Sequence, residues 1–246
     1  MAHLIWAWII VIPAFVISIV FGIIPGFLLK IIGLRKAGEN WTFWWARTMA
    51  GFVVALLGIK VQASGDLEGV VAKSRSGQPL CLVSNHTSLM DIPVLVSLGI
   101  RCGFVAKTEL RFVPGVNVWV MAIHSVFLNR NSLKKGVKTI QKAIGTVKKG
   151  CPMCIFPEGS RSKDGQVHAF RHGSFRLATE SGATIVPVTI KGLRGALEDR
   201  KKFFQTTNCR IDFGVGIQAP ASSDRDAVSE MITSIENGIR NKQAEL

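Results

Sequence analysis

From Leu4 to Leu29 the chain is apolar apart from Ser18 and carries no charge. A run of that length matches the thickness of a hydrocarbon layer and exceeds what a buried core helix needs. It does not read as a removable leader, because Met1-Ala2-His3-Leu4 lacks a basic start and no cleavage pattern follows. Pro13 and Pro25 interrupt the run, and a second apolar stretch, Trp41 to Ile59, carries Arg47 and the cluster Trp41, Trp44 and Trp45. Tryptophan concentrates where hydrocarbon meets headgroup. The sequence therefore predicts an N-terminal membrane-anchoring helical hairpin over residues 1–60. Lys30, Arg35 and Lys36 lie between its arms. If both arms crossed the bilayer, the positive-inside rule would put this loop in the cytoplasm and the following domain outside. A hairpin dipping into one leaflet keeps both ends and the basic loop at the cytoplasmic face; a single span by the first arm and two buried helices of a soluble core are the other arrangements the sequence allows.

The remaining composition points the same way. The formal charge is +14 although 48% of the residues are hydrophobic, so an acidic partner is expected. Nucleic acid fits poorly, since the chain has no zinc-finger spacing, no aromatic RNA-binding signature and no Tyr. Anionic lipid headgroups fit better. The five cysteines form no disulfide framework, which suits a reduced, cytoplasm-facing setting. Cys151 and Cys154 make a lone C-x-x-C in a strand-like context and read as core cysteines.

After Lys60 short apolar runs alternate with helical stretches and Gly-rich turns. Strands are predicted over residues 59–63, 80–84, 102–106, 126–129, 153–156, 185–190 and 210–215. The class is α/β, with a central mixed, largely parallel sheet flanked by helices forming a catalytic domain over residues 61–246, preceded by the two-helix membrane-embedded segment. The clearest helix covers residues 132–149: Leu133, Val137, Ile140, Ile144 and Val147 recur at helical spacing, Asn131 is placed to cap it and Gly150 to end it. Its other face carries Lys134, Lys135, Lys138, Lys142, Lys148 and Lys149, a solvated or headgroup-facing surface.

Chemistry enters at Asn85-His86-Thr87-Ser88-Leu89-Met90-Asp91, where a strand runs into a His and an Asp with four residues between them. Acyl transfer to an alcohol needs a base for the hydroxyl proton, and a carboxylate on the other imidazole nitrogen fixes the tautomer. That is two thirds of a serine-hydrolase triad. No G-x-S-x-G elbow occurs, which leaves room for an acceptor's own hydroxyl in the serine's place. His and Asp five positions apart do not share a face of a regular helix, so the pair must straddle a strand-to-helix turn, with Pro93 in the first helical turn.

Three further blocks follow in order: Lys107-Thr108-Glu109-Leu110 through Val126-Phe127-Leu128-Asn129-Arg130, then Phe156-Pro157-Glu158-Gly159-Ser160-Arg161-Ser162, then Ile185-Val186-Pro187-Val188-Thr189. With these four blocks the chain resembles the glycerolipid acyltransferase family, over roughly residues 60 to 195. The resemblance implies His86 and Asp91 as the catalytic pair. It assigns acceptor binding to the second and third blocks, which here offer Lys107, Arg130, Glu158, Gly159, Ser160 and Arg161. Arginine suits a phosphate through its bidentate fork, Glu158 would hold a glycerol hydroxyl, and Gly159 would let backbone amides approach an oxyanion or phosphate. Pro187 is expected to shape the sheet edge and the pocket wall.

The implied reaction moves a fatty acyl group from acyl-CoA or acyl-carrier protein to the sn-2 hydroxyl of 1-acyl-glycerol-3-phosphate, giving phosphatidic acid, with no metal or bound cofactor. Another lysolipid acceptor, such as lyso-ornithine lipid or lysophosphatidylglycerol, and a non-catalytic lipid-binding protein are the alternatives. The expected location is the membrane, with the catalytic domain on the cytoplasmic face. His168 and His172 mimic a metal pair, but no third ligand accompanies them. Ser160 stands where the family usually has Thr, Ser125 where it often has Gly, and Pro114-Gly115-Val116-Asn117 departs from its commoner Pro-x-x-Gly, all nearer the acceptor pocket than the catalytic pair.

Overall fold

The computed structural model describes residues 13–113, 115–129, 133–197 and 206–246. The start of the predicted first arm, Arg130, and the capping Asn131 lie outside them. The first described helix, α1 (Pro13–Ile31), is long and apolar enough to cross a membrane. Its middle turn, Ile19–Ile23, is widened, with the Ile24 amide donating to the Ile19 carbonyl. Pro25, one residue further on, cannot donate, and its ring would crowd the carbonyl four residues back, so the helix loosens just ahead of it.

Helix α2 (Arg35–Leu56) turns back along α1 after Gly33. The two axes approach closely because Gly26 and Gly38 face each other: a Cβ on Gly38 would collide with the Gly26 carbonyl. Trp41 Nε1 donates to the Phe21 carbonyl at 2.8 Å across the same seam. The arms nevertheless differ. Val16, Ile17, Val20, Phe21, Phe27 and Leu28 of α1 are exposed, whereas Ala46 and Val54 of α2 enter the protein core. The second arm begins six residues before the predicted apolar stretch, at Arg35 rather than Trp41, and so includes Arg35, Lys36 and Glu39 as well as Arg47. Of the two expected membrane helices, only α1 has spanning length and hydropathy among the described residues; α2 is one wall of the globular body.

The sheet contains β1 (Ile59–Gly65), β2 (Leu80–Ser84), β3 (Gly103–Lys107), β4 (Val126–Leu128), β5 (Met153–Ile155), β6 (Thr184–Lys191), β7 (Thr207–Phe213) and β8 (Ile217–Gln218). Its spatial order is β1-β7-β6-β2-β5-β3-β4, with β8 also on β6. Strands β6, β2, β5, β3 and β4 run parallel, while β7 and β8 pair antiparallel with β6 and β1 runs alongside β7. The seven predicted strands form, each within a few residues of its expected bounds; β8 has no counterpart among them. Helices α3 (Leu67–Lys73), α4 (Asp91–Ser97), α5 (Val116–Ala122), α6 (Leu133–Lys148), α7 (Arg176–Ser181) and α8 (Arg225–Glu245) complete the chain.

Every residue of β2 is buried, because helices cover both faces of the sheet. Leu80 and Leu82 join α2, α3 and α4 on one face, and Cys81 and Val83 join α6, α7 and α8 on the other. The stripe predicted for α6 holds over its second half, where Ile144 and Val147 are buried; Val137 is exposed instead. Cys154 is fully buried in β5, as expected of a core cysteine. Pro187 does not lie at a sheet edge. It sits in β6 between Val83 of β2 and the break separating β7 from β8, where the Gly214 amide donates to its carbonyl. A residue's N–H and C=O point to the same side of a strand, so the missing donor of Pro187 coincides with the interrupted ladder.

Candidate active site

The four blocks converge because of the strand order. His86 follows β2, the third block follows β5, Lys107 ends β3 and Asn129 follows β4. These four parallel strands are neighbours, so the side chains gather at one carboxyl edge, where open α/β sheets bind ligands. The fourth block lies on β6, flanking β2 on the other side.

His86 and Asp91 meet as the spacing requires, with Asp91 opening α4. Asp91 Oδ2 lies 2.8 Å from His86 Nδ1 and also accepts the backbone N–H groups of Thr87 at 2.8 Å and Ser88 at 3.0 Å. Asp91 is completely buried, while the His86 side chain is 17% exposed. One carboxylate thus shapes the turn and orients the imidazole. An acceptor on Nδ1 places that proton there and leaves Nε2 as the basic nitrogen. The other surface of the ring rests on Phe156, with centroids 4.1 Å apart and planes 21° from parallel.

Two residues hold this turn in place through contacts that no sequence pattern announces. Asn85, buried beyond the end of β2, pairs with the Ile190 backbone in both directions at 2.8 Å. Its side chain stands in for a strand residue and ties β2 to β6. Glu158 is also buried. Its two oxygens accept from the His86 amide at 2.8 Å and the His168 amide at 3.3 Å, so it braces the His86 loop from within. Burial pushes the Glu158 carboxyl above the usual carboxylate range, and the two amide bonds oppose that rise only in part.

The Gly159 amide closes a turn onto the Phe156 carbonyl at 3.0 Å. Glycine is required there, since its φ is +78° and a Cβ would press on the Arg171 guanidinium. Ser160 and Arg161 stand exposed just beyond the turn, and Lys107 is exposed at the end of β3. The following loop is locked by Ser162, whose amide donates to the His86 carbonyl at 2.8 Å and whose hydroxyl donates to Asp164 at 2.7 Å. That bond, with the Gln166 amide and the neighbouring His168, lowers the Asp164 carboxyl to about 2. His168 is paired with Asp164 at 3.1 Å. Directly after Asp91, Ile92 and Pro93 border an apolar groove of about 250 Å³ that runs between α1, α2, α4 and α5 past Phe15, Val53 and Trp119.

Residues 68–191 match the family model described as Acyltransferase. A chloroplastic 1-acyl-sn-glycerol-3-phosphate acyltransferase of Brassica napus, BAT2, is 37% identical over 52% of this chain and 37% of its own length. The 1-acyl-sn-glycerol-3-phosphate acyltransferase of Borreliella burgdorferi is 34% identical over 55% of this chain and 52% of its own. The chain thus spans about half or less of the length of these curated relatives. The crystal structure of the 1-acyl-sn-glycerophosphate acyltransferase PlsC from Thermotoga maritima superposes with a TM-score of 0.74, covering 94% of this chain and 92% of that one at 24% identity. That likeness is one of fold.

Proposed function

This chain belongs to the acyltransferase family, and on that premise we propose that it moves a fatty acyl group from a thioester to the sn-2 hydroxyl of 1-acyl-glycerol-3-phosphate, giving phosphatidic acid. The observation that carries this reading is the buried Asp91 carboxylate holding His86 Nδ1, which leaves Nε2 to face an incoming hydroxyl. Nε2 takes the hydroxyl proton while the oxygen attacks the thioester carbonyl. The resulting oxyanion collapses, the C–S bond breaks, and the proton passes from the imidazole to the departing thiolate. Base catalysis of this kind contributes roughly 10²–10⁴-fold, and holding both substrates in line adds more.

Arg161, Lys107 and Arg130 supply the cations for the acceptor phosphate, and Ser160 adds a hydroxyl. The apolar groove next to Ile92 and Pro93 takes an acyl chain. Acyl-CoA or acyl-carrier protein is the donor, and the protein needs no metal or bound cofactor for this chemistry. Helix α1 holds the catalytic edge at headgroup depth on the cytoplasmic face, where a bilayer acceptor and a soluble donor meet. Lysophosphatidic acid, lysophosphatidylglycerol, lyso-ornithine lipid and glycerol 3-phosphate, each offered with labelled acyl-CoA to the purified protein in detergent, form the test. Phosphatidic acid as the dominant product is the expected result. A stronger preference for another acceptor, or no transfer to any, overturns the reading.

A further inference from the structure

A second polar cavity lies at the opposite edge of the sheet. It occupies about 460 Å³ between the start of α2 and the loops that enter β2, β3, β4 and β5, at the amino ends of the strands whose carboxyl ends carry His86. Lys36, Arg75, Arg101 and Lys149 line it, against Glu39 as the carboxylate of the lining. Glu39 is 4.0 Å from His124. Among the described residues no carboxylate oxygen comes within 4.0 Å of a nitrogen of those four cations.

The arrangement is held in place by contacts within the lining and just behind it. Arg101 is half-buried, donates to Asn40 Oδ1 at 2.6 Å and lies over the Phe43 ring at 5.8 Å. Arg75 donates to the Gly99 carbonyl at 3.4 Å. The floor is formed where Gly150, with φ +78°, passes against the Gly77 backbone so closely that no side chain fits. Burial and then the charge of Arg75 lower the Arg101 guanidinium from its ordinary value, and the Glu39 carboxylate offsets that fall only in part. A neighbouring pocket of about 190 Å³ shares Phe43, Arg75 and Arg101 and adds Trp44 and Arg47. Trp44 is 55% exposed, on the helix that packs along α1.

We propose that this cavity is a binding site for a phosphate-bearing anion, separate from the catalytic edge, in which Arg75 and Arg101 clamp the phosphate and Lys36 and Lys149 close the rim. Paired guanidinium groups suit the planar, bidentate contacts of a phosphate, and the half-buried Arg101 gains most from such a partner. A phospholipid headgroup and dissolved phosphate offer the same chemistry. The exposed Trp44 and the adjoining apolar hairpin put the cavity where headgroups lie.

The test uses the full-length protein in nonionic detergent, titrated calorimetrically with dihexanoyl phosphatidylglycerol, dihexanoyl phosphatidylcholine and inorganic phosphate. The wild type is expected to bind phosphatidylglycerol more tightly than the zwitterionic lipid. Arg75→Gln/Arg101→Gln should weaken that binding about tenfold or more, while Arg161→Gln at the catalytic edge leaves it unchanged. Displacement of the lipid by inorganic phosphate identifies free phosphate as a sufficient ligand, and lack of displacement identifies the lipid. Should the double variant melt early, Arg75→Gln and Lys149→Gln, both at exposed positions, carry the same comparison. Equal affinity for the two lipids, no binding of either anion, or wild-type binding by the variants overturns the proposal.

Discussion

At the scale of single residues, His86 and Asp91 are not equivalent probes of the chemistry. The His86 ring is partly exposed and contributes one stacking contact on Phe156, so His86→Ala should lower acyl transfer by roughly 10²-fold or more while the thermal midpoint moves little. Asp91 accepts from the His86 ring and from two backbone amides while fully buried. Asp91→Asn should therefore reduce kcat more than it raises the acceptor KM, and should also cost roughly 1–3 kcal/mol of stability, measured by kinetics alongside melting of the same preparations. A loss confined to KM would assign Asp91 to binding alone. Glu158 supplies a pH-dependent counterpart. A carboxyl whose folded value is raised contributes stability that is full below its unfolded value and is lost as pH rises through the folded one. Relative to Glu158→Gln, the wild type should gain stability on acidification from neutral pH through the Glu range, and melts of both proteins across that range check the sign. The His86–Asp91 contact was legible once the four blocks stood together, because a pair astride a strand-to-helix turn is a local geometry. Glu158 as a brace and Asn85 as a surrogate strand residue were not, since their partners lie 72 and 105 positions away and only the folded sheet brings them close.

Elements show the same division between local and distant causes. Strands β2, β5 and β6 announced themselves as short apolar runs because both their faces are covered. Strand β8 did not, being two residues between Gly216 and Ala219 whose only ladder is with β6. Sheet order and the reversed direction of β1 and β7 were likewise hidden, since apolar pattern records burial and not neighbours. The predicted hairpin forms as an element pair, but among the described residues only its first helix has spanning length and hydropathy: Trp41 and Trp44 are exposed as an interfacial reading requires, while the same helix carries Ala46 and Val54 into the core. α2 and α1 approach closely at the Gly26–Gly38 contact. Gly38→Ala would ordinarily favour a helix by about 1 kcal/mol, but here the new methyl meets the Gly26 carbonyl. A lowered melting temperature in detergent is the expected outcome, and a raised one would show that the helices part without cost. In the third block, Gly159→Ala must adopt a left-handed backbone against Arg171, and a loss of roughly 1–3 kcal/mol with reduced activity is expected from melts and rate measurements.

For the whole molecule, the decisive asymmetry is that exposed large apolar side chains gather along α1 while the His86 edge belongs to the globular body. Removing residues 1–60 would strip Ala46, Val54 and Leu57 from the core and confuse unfolding with detachment. Substitution on the outer face of α1 avoids this. Ile17 and Phe27 are 47% and 61% exposed, so Ile17→Glu/Phe27→Glu leaves the core intact while placing two charges on a surface that hydrocarbon would cover, each costing on the order of 2–3 kcal/mol at bilayer depth. Wild-type protein inserted in vesicles should resist extraction by concentrated salt, because screening weakens attraction between exposed charges and leaves apolar burial in place. The double variant should be released by the same wash. It should also lose most of its transfer to a vesicle-embedded acceptor while keeping transfer to a monomeric short-chain acceptor, since nothing at the His86 edge has changed. Sedimentation of vesicles after a salt wash, paired with the two assays, separates the contributions. Release of the wild type by salt alone would mean that the charge of +14 holds the protein on the surface and that the exposed face of α1 meets something other than lipid.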